Sequence, residues 1–246
     1  RKDEVIFFDD FVVYYYEEDF AVPKGRTTSA SSRREIPPPA GNREDGSACT
    51  NRQAPEHKAT IAIIGDSMSN SYTGDWIEDF ANLAGLDSED ITIHAQSGDA
   101  CHHVHGQLQD HVVQGTHYLF STCGVNGFSE SNNPYWYERI YNTAKNKGIQ
   151  HIYMTTMPPW NAINTQTRSQ AIAQCDKMKQ ENQWLLTFAQ DKNDLTVVDL
   201  WSKWHDSTGS PTDCGWKDGL TYTNDGVHPN NRAYKQWGEA YHAVYG

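Results

Sequence analysis

Five short apolar runs rich in β-branched residues recur from Thr60 onward, and amphipathic helical patterns lie between them. The runs span 61–64, 91–94, 118–122, 151–155 and 196–200. Runs of this length, bounded by Gly, Pro, Asp or polar residues, are typical of buried strands. Strands that alternate with helices through short connections predict a parallel sheet with helices on both faces. The sequence therefore predicts an α/β fold: a three-layer α/β/α sandwich, flavodoxin-like, with a central parallel sheet of about five strands.

Apolar residues at helical spacing predict two amphipathic helices between these strands. Their stripes consist of Trp76, Ile77, Phe80, Leu83 and Ala84, and of Ile172, Cys175, Met178, Leu185 and Ala189. A last helix is predicted from about residue 231 to residue 245.

Residues 1–59 form an N-terminal extension whose composition differs from the rest of the chain. Two β-prone runs, 5–8 and 11–16, predict either a hairpin or an addition to a sheet edge. Acidic residues are in excess over the first 20 positions, which indicates a solvated face. From about 23 to 58 almost no large apolar side chain occurs, so this stretch is expected to be a linker or an extended arm. We therefore divide the chain into residues 1–59 and a folded domain, 60–246.

The charge of the chain restricts its partners. Twenty Lys and Arg residues against 32 Asp and Glu residues leave a net charge of -12. A field of that sign repels polyphosphate, so nucleic acid is not expected as a partner. No apolar run approaches the roughly 18 residues that a membrane-spanning helix needs, so no transmembrane segment is predicted. The chain opens on Arg1, which we interpret as a processed form, and we expect an extracellular or periplasmic protein, with a reducing compartment as the alternative.

Residues with useful chemistry follow the predicted strands. The first strand ends in Gly65-Asp66-Ser67, where Gly65 is expected to allow a tight turn. That turn puts Ser67 at the start of the next helix, whose free N–H groups suit a developing oxyanion. Gly98 follows the second strand and Asn126 follows the third. Because the carboxyl ends of parallel strands form one edge of the sheet, we expect these residues to lie close together.

Asp225 and His228 lie three residues apart in a polar loop before the last helix. At this spacing a carboxylate can fix the tautomer of an imidazole and stabilise its protonated form. Each motif alone is equally well explained as a helix cap or an ordinary turn. Their occurrence in order, after strands one, two and three and before the last helix, predicts a serine nucleophile with its base.

In these blocks the chain resembles the SGNH hydrolase superfamily, which includes the GDSL-type serine esterases. The matching blocks are Gly65-Asp66-Ser67, Gly98, Gly124-x-Asn126 and Asp225-x-x-His228. The resemblance covers about residues 60 to 245. Gly127 stands where the family often has Asp, which is expected to loosen the loop around Asn126.

The resemblance implies a Ser-His-Asp mechanism that proceeds through an acyl-enzyme. Ser67 would attack an ester carbonyl, His228 would move its proton and Asp225 would orient the imidazole. The backbone N–H groups of Ser67 and Gly98 and the side-chain amide of Asn126 would form the oxyanion hole. No cofactor and no metal are expected.

The implied substrate is a short-chain, acetyl-type ester, either a small molecule or an O-acetyl group on a polysaccharide. Trp160, Phe128 and Tyr222 are candidate substrate-binding residues, with core packing as their alternative. A second reading is an O-acyltransferase that moves acetyl onto a glycan, whose partner would be a parent membrane acyltransferase. A third is a non-catalytic carbohydrate-binding or structural module. Residues 1–59 are a candidate for self-association.

Five cysteines allow at most two intrachain disulfides. Cys101 and Cys123 each lie close to an oxyanion-hole element, so a disulfide between them is one interpretation; a bond between Cys175 and Cys214 is a weaker one. Otherwise each cysteine is a small buried hydrophobe.

A run of histidines begins beside Cys101 and resembles a metal site at first sight. Its members are His102, His103, His105, His111 and His117. No carboxylate or second ligand cluster accompanies them at suitable spacing. We therefore interpret the segment as the entrance to the site, or as a polar loop that leads into a helix.

Overall fold

The computed structural model describes residues 60–71, 75–126, 132–159, 167–209, 214–216 and 227–245, together with the backbone of 7–8 and 11–12. The chain divides into two units, 1–52 and 53–246. In the first unit, β1 (Phe7–Phe8) pairs antiparallel with β2 (Phe11–Val12), so the two predicted runs form a short hairpin. The predicted linker, 23–58, lies outside the described residues.

The described part of the second unit contains five strands and six α-helices. The strands are β3 (Ile61–Ile64), β4 (Ile91–Ile93), β5 (Tyr118–Ser121), β6 (His151–Thr155) and β7 (Leu195–Val198). The helices are α1 (Trp76–Ala84), α2 (Cys101–Asp110), α3 (Asn133–Asn146), α4 (Arg168–Ala189), α5 (Leu200–Trp204) and α6 (Asn231–His242), and a 3-10 helix spans Ser88–Asp90. All five strands are parallel, in the order β4-β3-β5-β6-β7. The predicted α/β fold with a five-stranded parallel sheet is therefore confirmed.

Helices cover both faces of the sheet because strand β3 is apolar on both sides. Ile61 and Ile63 pack in one core with residues of α1 and α6, whereas Ala62 and Ile64 pack in a second core with α2 and α3. Successive strand residues point to opposite faces, so a continuous apolar run needs cover on each. Among the helices in the described part of the chain, none is both long and apolar enough to span a membrane.

Helix α1 differs from its prediction in two ways. It begins only at Trp76, after its N-cap Asp75, so Ser67 lies in a turn that directly follows β3. The prediction that Ser67 starts a helix is therefore wrong. Leu83, predicted on the apolar stripe, is 49% exposed, because the core takes up the face that carries Trp76 and Phe80. The last helix ends at His242, three residues before the predicted end.

Candidate active site

Ser67 and His228 lie 161 positions apart in the sequence and meet in the fold. His228 Nε2 is 2.7 Å from Ser67 Oγ, which is hydrogen-bond distance. Both side chains are half-buried, so the pair remains open to solvent. The loop that carries His228 ends at Asn230, whose side chain accepts a hydrogen bond from Ala233 N–H and so caps α6. An imidazole bonded to a serine hydroxyl is the arrangement that activates a nucleophile.

Asp225, the predicted third member of the triad, lies outside the described residues. Its contact with His228 stays a prediction. The three candidate substrate-binding residues, Trp160, Phe128 and Tyr222, also lie outside the described part of the chain, as does Gly127.

Gly65, two positions before Ser67, is held by a side chain from α2. Gln107 Oε1 accepts a hydrogen bond from Gly65 N–H at 2.9 Å, and Gln107 Nε2 donates to Gly65 O at 2.9 Å. A Cβ on Gly65 would lie 2.2 Å from Thr122 Oγ1 on the neighbouring strand's exit. Glycine is therefore required here by close packing, not by the turn geometry that the sequence predicted. Sequence reasoning missed Gln107, although its place three residues after buried Val104 marks it as a polar residue on a core-facing stripe.

Ser69 ties the same turn to two further elements. Its hydroxyl lies 2.7 Å from Thr122 Oγ1 and accepts a hydrogen bond from Trp76 Nε1 at 3.0 Å. Ser69 is fully buried, so these partners satisfy a hydroxyl that has no access to water. The turn that carries Ser67 is thus fixed to the exit of β5 and to the start of α1.

The carboxyl group of Asp66, the residue before Ser67, is buried. Its Oδ1 accepts a hydrogen bond from Met68 N–H at 3.0 Å, and its Oδ2 accepts one from Asn126 Nδ2 at 3.3 Å. Burial raises the pKa of Asp66 to about 6, although the Met68 N–H and the charge of His228 both lower it. The protonation state of this group therefore changes near neutral pH, in contact with a predicted oxyanion donor.

The Gly98 and Asn126 blocks converge on the Ser67 turn. Gln96 N–H donates to Gly65 O at 3.0 Å and so extends the pairing of the two chain segments beyond β4. Gly98 follows with a φ of +85°, in the left-handed region that favours glycine. Asn126 Nδ2 donates to Asp99 O at 3.3 Å in addition to its bond with Asp66. The structure therefore brings three of the four predicted blocks together with His228, while their role as oxyanion donors stays a prediction.

Two disulfides join the cysteines in both of the suggested pairs. Cys101 and Cys123, with 5.2 Å between their Cα atoms, connect the first residue of α2 with the loop that leads to Asn126. Cys175 of α4 is bonded to Cys214, and neither cysteine adjoins one of the four sequence blocks. The first bond braces the loop of Asn126. This is the loop that was expected to be loose, because Gly127 stands where the resembling family often has Asp.

Most of the histidine run lies on α2 itself. His105 is buried, and its Nε2 lies 2.9 Å from Thr143 Oγ1 of α3; burial lowers its pKa. His102 and His103 are exposed in the first turn of α2. The described residues contain no group of three or more His, Cys, Asp or Glu side chains placed to hold a metal ion.

Comparison with known proteins gives a family match over part of the chain and several solved structures with the same fold. Residues 137–241 match the family model described as GDSL-like Lipase/Acylhydrolase. No curated protein sequence matches the chain. The fold is shared with three solved structures, and each alignment covers 76% of this chain. An extracellular lipase from Streptomyces rimosus is 15% identical, covered over 100% of its own chain, with a TM-score of 0.56. A carbohydrate esterase family 3 from Talaromyces cellulolyticus is 12% identical, covered over 95%, with a TM-score of 0.54, and a member of the lipolytic protein G-D-S-L family from Veillonella parvula is 16% identical, covered over 96%, with a TM-score of 0.53.

Identities this low show the fold alone, and the family match begins after Ser67, so the candidate nucleophile rests on the geometry above. The match covers less than half of the chain, and over residues 137–241 it agrees with the family that the four sequence blocks predicted. In this C-terminal part the chain is similar to the GDSL-like lipases and acylhydrolases.

Proposed function

We propose that this chain is a serine esterase that removes short acyl groups, above all acetyl, from the hydroxyl groups of carbohydrate. The observation that carries the proposal is the 2.7 Å contact between Ser67 Oγ and His228 Nε2. This contact supports an active enzyme over the non-catalytic module that the sequence left open, because a binding domain has no need of a hydroxyl–imidazole pair.

In the proposed reaction Ser67 Oγ attacks the ester carbonyl while His228 Nε2 accepts the serine proton. The negative charge on the carbonyl oxygen is stabilised by the N–H groups of Ser67 and Gly98 and by the Asn126 amide. His228 then protonates the leaving sugar hydroxyl, and an acyl-serine remains. Water attacks this ester with His228 as base, which releases the acid and restores the serine.

The surroundings of Asn126 suit this role. Its amide N–H groups make two long hydrogen bonds of 3.3 Å, to Asp66 Oδ2 and to Asp99 O. Bonds of this length are weak, so one N–H can turn to a full negative charge at little cost. An Asn126→Ala substitution is expected to lower kcat about 10²- to 10³-fold.

The preference for a short acyl group follows what the resemblance of the four sequence blocks implies. The carbohydrate part of the proposal draws on the chain's acidic charge, which disfavours anionic polymers, and on its many aromatic side chains.

The test is hydrolysis of p-nitrophenyl acetate and butyrate by the wild type, Ser67→Ala and His228→Ala. Each substitution is expected to lower kcat at least 10³-fold. Ser202→Ala, at an exposed serine of α5 that follows the outermost strand β7, is the matched control and should retain full activity. Activity that survives in Ser67→Ala would disprove the assignment of the nucleophile.

Acetate release from acetylated polysaccharides, measured with and without an acceptor glycan, separates hydrolysis from transfer. Release of free acetate supports the esterase. Acetyl that appears on the acceptor, with little free acetate, would favour the O-acyltransferase instead.

A further inference from the structure

Four aromatic side chains form a connected strip beside the site, which we name the aromatic rim: His102 and His103 of α2, and Tyr135 and Trp136 of α3. Neighbouring rings touch, with centroids 3.8 Å apart for His102–His103, 6.0 Å for His102–Trp136 and 4.9 Å for Tyr135–Trp136. All four lie in the first turn of their helix. Because these helices follow β4 and β5, the rim lies at the carboxyl edge of the sheet, as Ser67 does.

The rings of the aromatic rim are at least partly exposed to solvent and are not buried in the hydrophobic core. Tyr135 is 47% exposed, the side chain of His103 is 57% exposed, and Trp136 is half-buried. Aromatic side chains with one apolar face and one polar edge are enriched where proteins bind ligands. Among the large hydrophobic residues that the described part of the chain exposes, Tyr135 is the aromatic one.

The rim is fixed to the loops that carry the oxyanion donors. His103 Nδ1 lies 3.8 Å from Asp99 Oδ1, and Asp99 O in turn accepts a hydrogen bond from Asn126 Nδ2. Asn133, the first residue of α3, donates from Nδ2 to Gly124 O at 3.1 Å. The disulfide of Cys101 also joins the start of α2 to the Asn126 loop. A ligand on the rim would therefore keep a constant position relative to Ser67.

We propose that the aromatic rim binds the sugar rings that adjoin the acylated sugar, so that it positions a neutral glycan chain for Ser67. The proposal rests on the proposed esterase function. It concerns the sugar units of the substrate that do not carry the ester being cleaved. A pyranose presents a C–H face that packs on an aromatic ring and hydroxyl groups that bond to imidazole, phenol and indole edges. The net charge of -12 disfavours a polyanionic chain at the same surface.

The first test compares a polymer with a small ester. We would measure kcat/KM on chemically acetylated xylan, glucomannan and chitin oligosaccharides, and on p-nitrophenyl acetate, for the wild type and for His102→Ala/Tyr135→Ala. The variant should lose about tenfold on the glycan that the wild type deacetylates best, through a higher KM, and should change less than twofold on the small ester. Tyr135→Phe keeps the ring and should keep most of the activity. Val113→Ala, which alters a 70% exposed apolar residue just beyond the other end of α2, is the matched control.

The second test measures glycan binding independently of catalysis. Electrophoresis in gels that contain each unacetylated glycan should retard the wild type, Tyr135→Phe and Val113→Ala, but not the double variant. If p-nitrophenyl acetate is not hydrolysed, the esterase proposal fails while gel retardation still decides the rim. The rim proposal is overturned if no glycan retards the wild type, if the double variant is retarded equally, or if its activity falls equally on polymer and small ester.

Discussion

Gln107 and Asn182 use the same hydrogen-bonding device at two strand ends, but only Gln107 holds the backbone that leads directly into Ser67. Each side-chain amide accepts from the N–H and donates to the C=O of one backbone residue, an arrangement that we name an amide clamp. Gln107 clamps Gly65 after β3, with both bonds at 2.9 Å. Asn182 clamps Met157 after β6, with bonds of 2.7 and 2.9 Å. Both amides are buried.

The shared device solves a problem that every parallel sheet has at its carboxyl edge. Backbone groups just beyond a strand lose their ladder partners, yet here they remain buried and need hydrogen bonds. A side-chain amide carries a donor and an acceptor on one planar group, so it can satisfy both at once.

The two clamps differ in the further contacts made by the clamping amide and by the backbone residue that it holds. Gln107 Nε2 also donates to Asp99 Oδ2 at 2.6 Å, and Asp99 is bonded through its C=O to Asn126. Gly65 precedes the Asp66-Ser67 turn directly. The first clamp therefore joins the Ser67 turn to the Asn126 loop, whereas the second holds Met157, whose side chain lines a small cavity with Asp66 and Met68. We infer that a structural motif becomes part of an active site through its additional contacts, here the bond to Asp99.

The largest expected effect comes from removing each clamp with an apolar side chain of similar size. Gln107→Met and Asn182→Leu should each lower the free energy of unfolding by about 2–4 kcal/mol, because each removes two buried hydrogen bonds and leaves a buried N–H without its partner. Gln107→Met should lower kcat more than Asn182→Leu does, by about 10- to 100-fold, since it releases the Ser67 turn itself, whereas Asn182→Leu displaces Met157. Urea unfolding and p-nitrophenyl acetate turnover, measured where both variants are folded, test this. Equal losses of kcat in the two variants would show that the clamps are equivalent.

The two disulfides provide a second version of the same comparison. Replacing either pair with serine, Cys101/Cys123 or Cys175/Cys214, should lower the free energy of unfolding by about 3 kcal/mol. The two bonds span 22 and 39 positions, and the entropy of loop closure depends only on the logarithm of loop length. Removal of the Cys101–Cys123 bond should in addition lower kcat by about 3- to 10-fold, since that bond braces the Asn126 loop. Thermal unfolding and turnover of both double variants separate the two effects. A larger loss of kcat in the Cys175/Cys214 variant would contradict the assignment.

The strands were predictable because their signal is local. Each β-branched run became a strand with ends within two residues of the prediction; β7, for example, begins at Leu195 instead of Thr196 and ends at Val198. Burial on both faces requires continuous apolar runs, and such runs are visible in a single sequence. The meeting of Ser67 with His228 was predictable for a related reason, since parallel topology gathers strand ends at one edge.

The clamps and the reason for Gly65 were not predictable, because both depend on partners distant in sequence. Gln107 is 42 positions from Gly65, and its place on the core-facing stripe of α2 does not show which backbone group it holds. Thr122, the residue that follows β5, leaves no room for a Cβ at Gly65. The helix predicted at Ser67 failed similarly, since the bonds of Ser69 to Thr122 and Trp76 hold that segment as a turn.

The smallest expected effect concerns the buried carboxyl group that accompanies each clamp. Asp66 follows Gly65 and Glu181 precedes Asn182. Burial raises the pKa of Glu181 to about 7, although a hydrogen bond from Asn133 Nδ2 and the charge of Lys177 lower it. The folded protein then holds a proton that the unfolded chain releases at lower pH. Its contribution to stability is full below the unfolded pKa and is lost as pH rises through about 7.

Glu181→Gln removes this titration and keeps an oxygen to accept from Asn133. Between pH 5 and pH 8 the free energy of unfolding of the wild type should fall by about 2 kcal/mol more than that of Glu181→Gln. Glu138→Gln, at an exposed carboxylate of α3, is the control and should follow the wild type. Asp66 is present in all three proteins, so its own loss of stability through about pH 6 cancels in the comparison. Glu181 reaches the Asn126 loop indirectly, through Asn133 Nδ2, which also donates to Gly124 O. The kcat of Glu181→Gln should therefore differ little from that of the wild type at every pH. A kcat that followed the titration of Glu181 would mean that the second clamp is strongly coupled to Ser67.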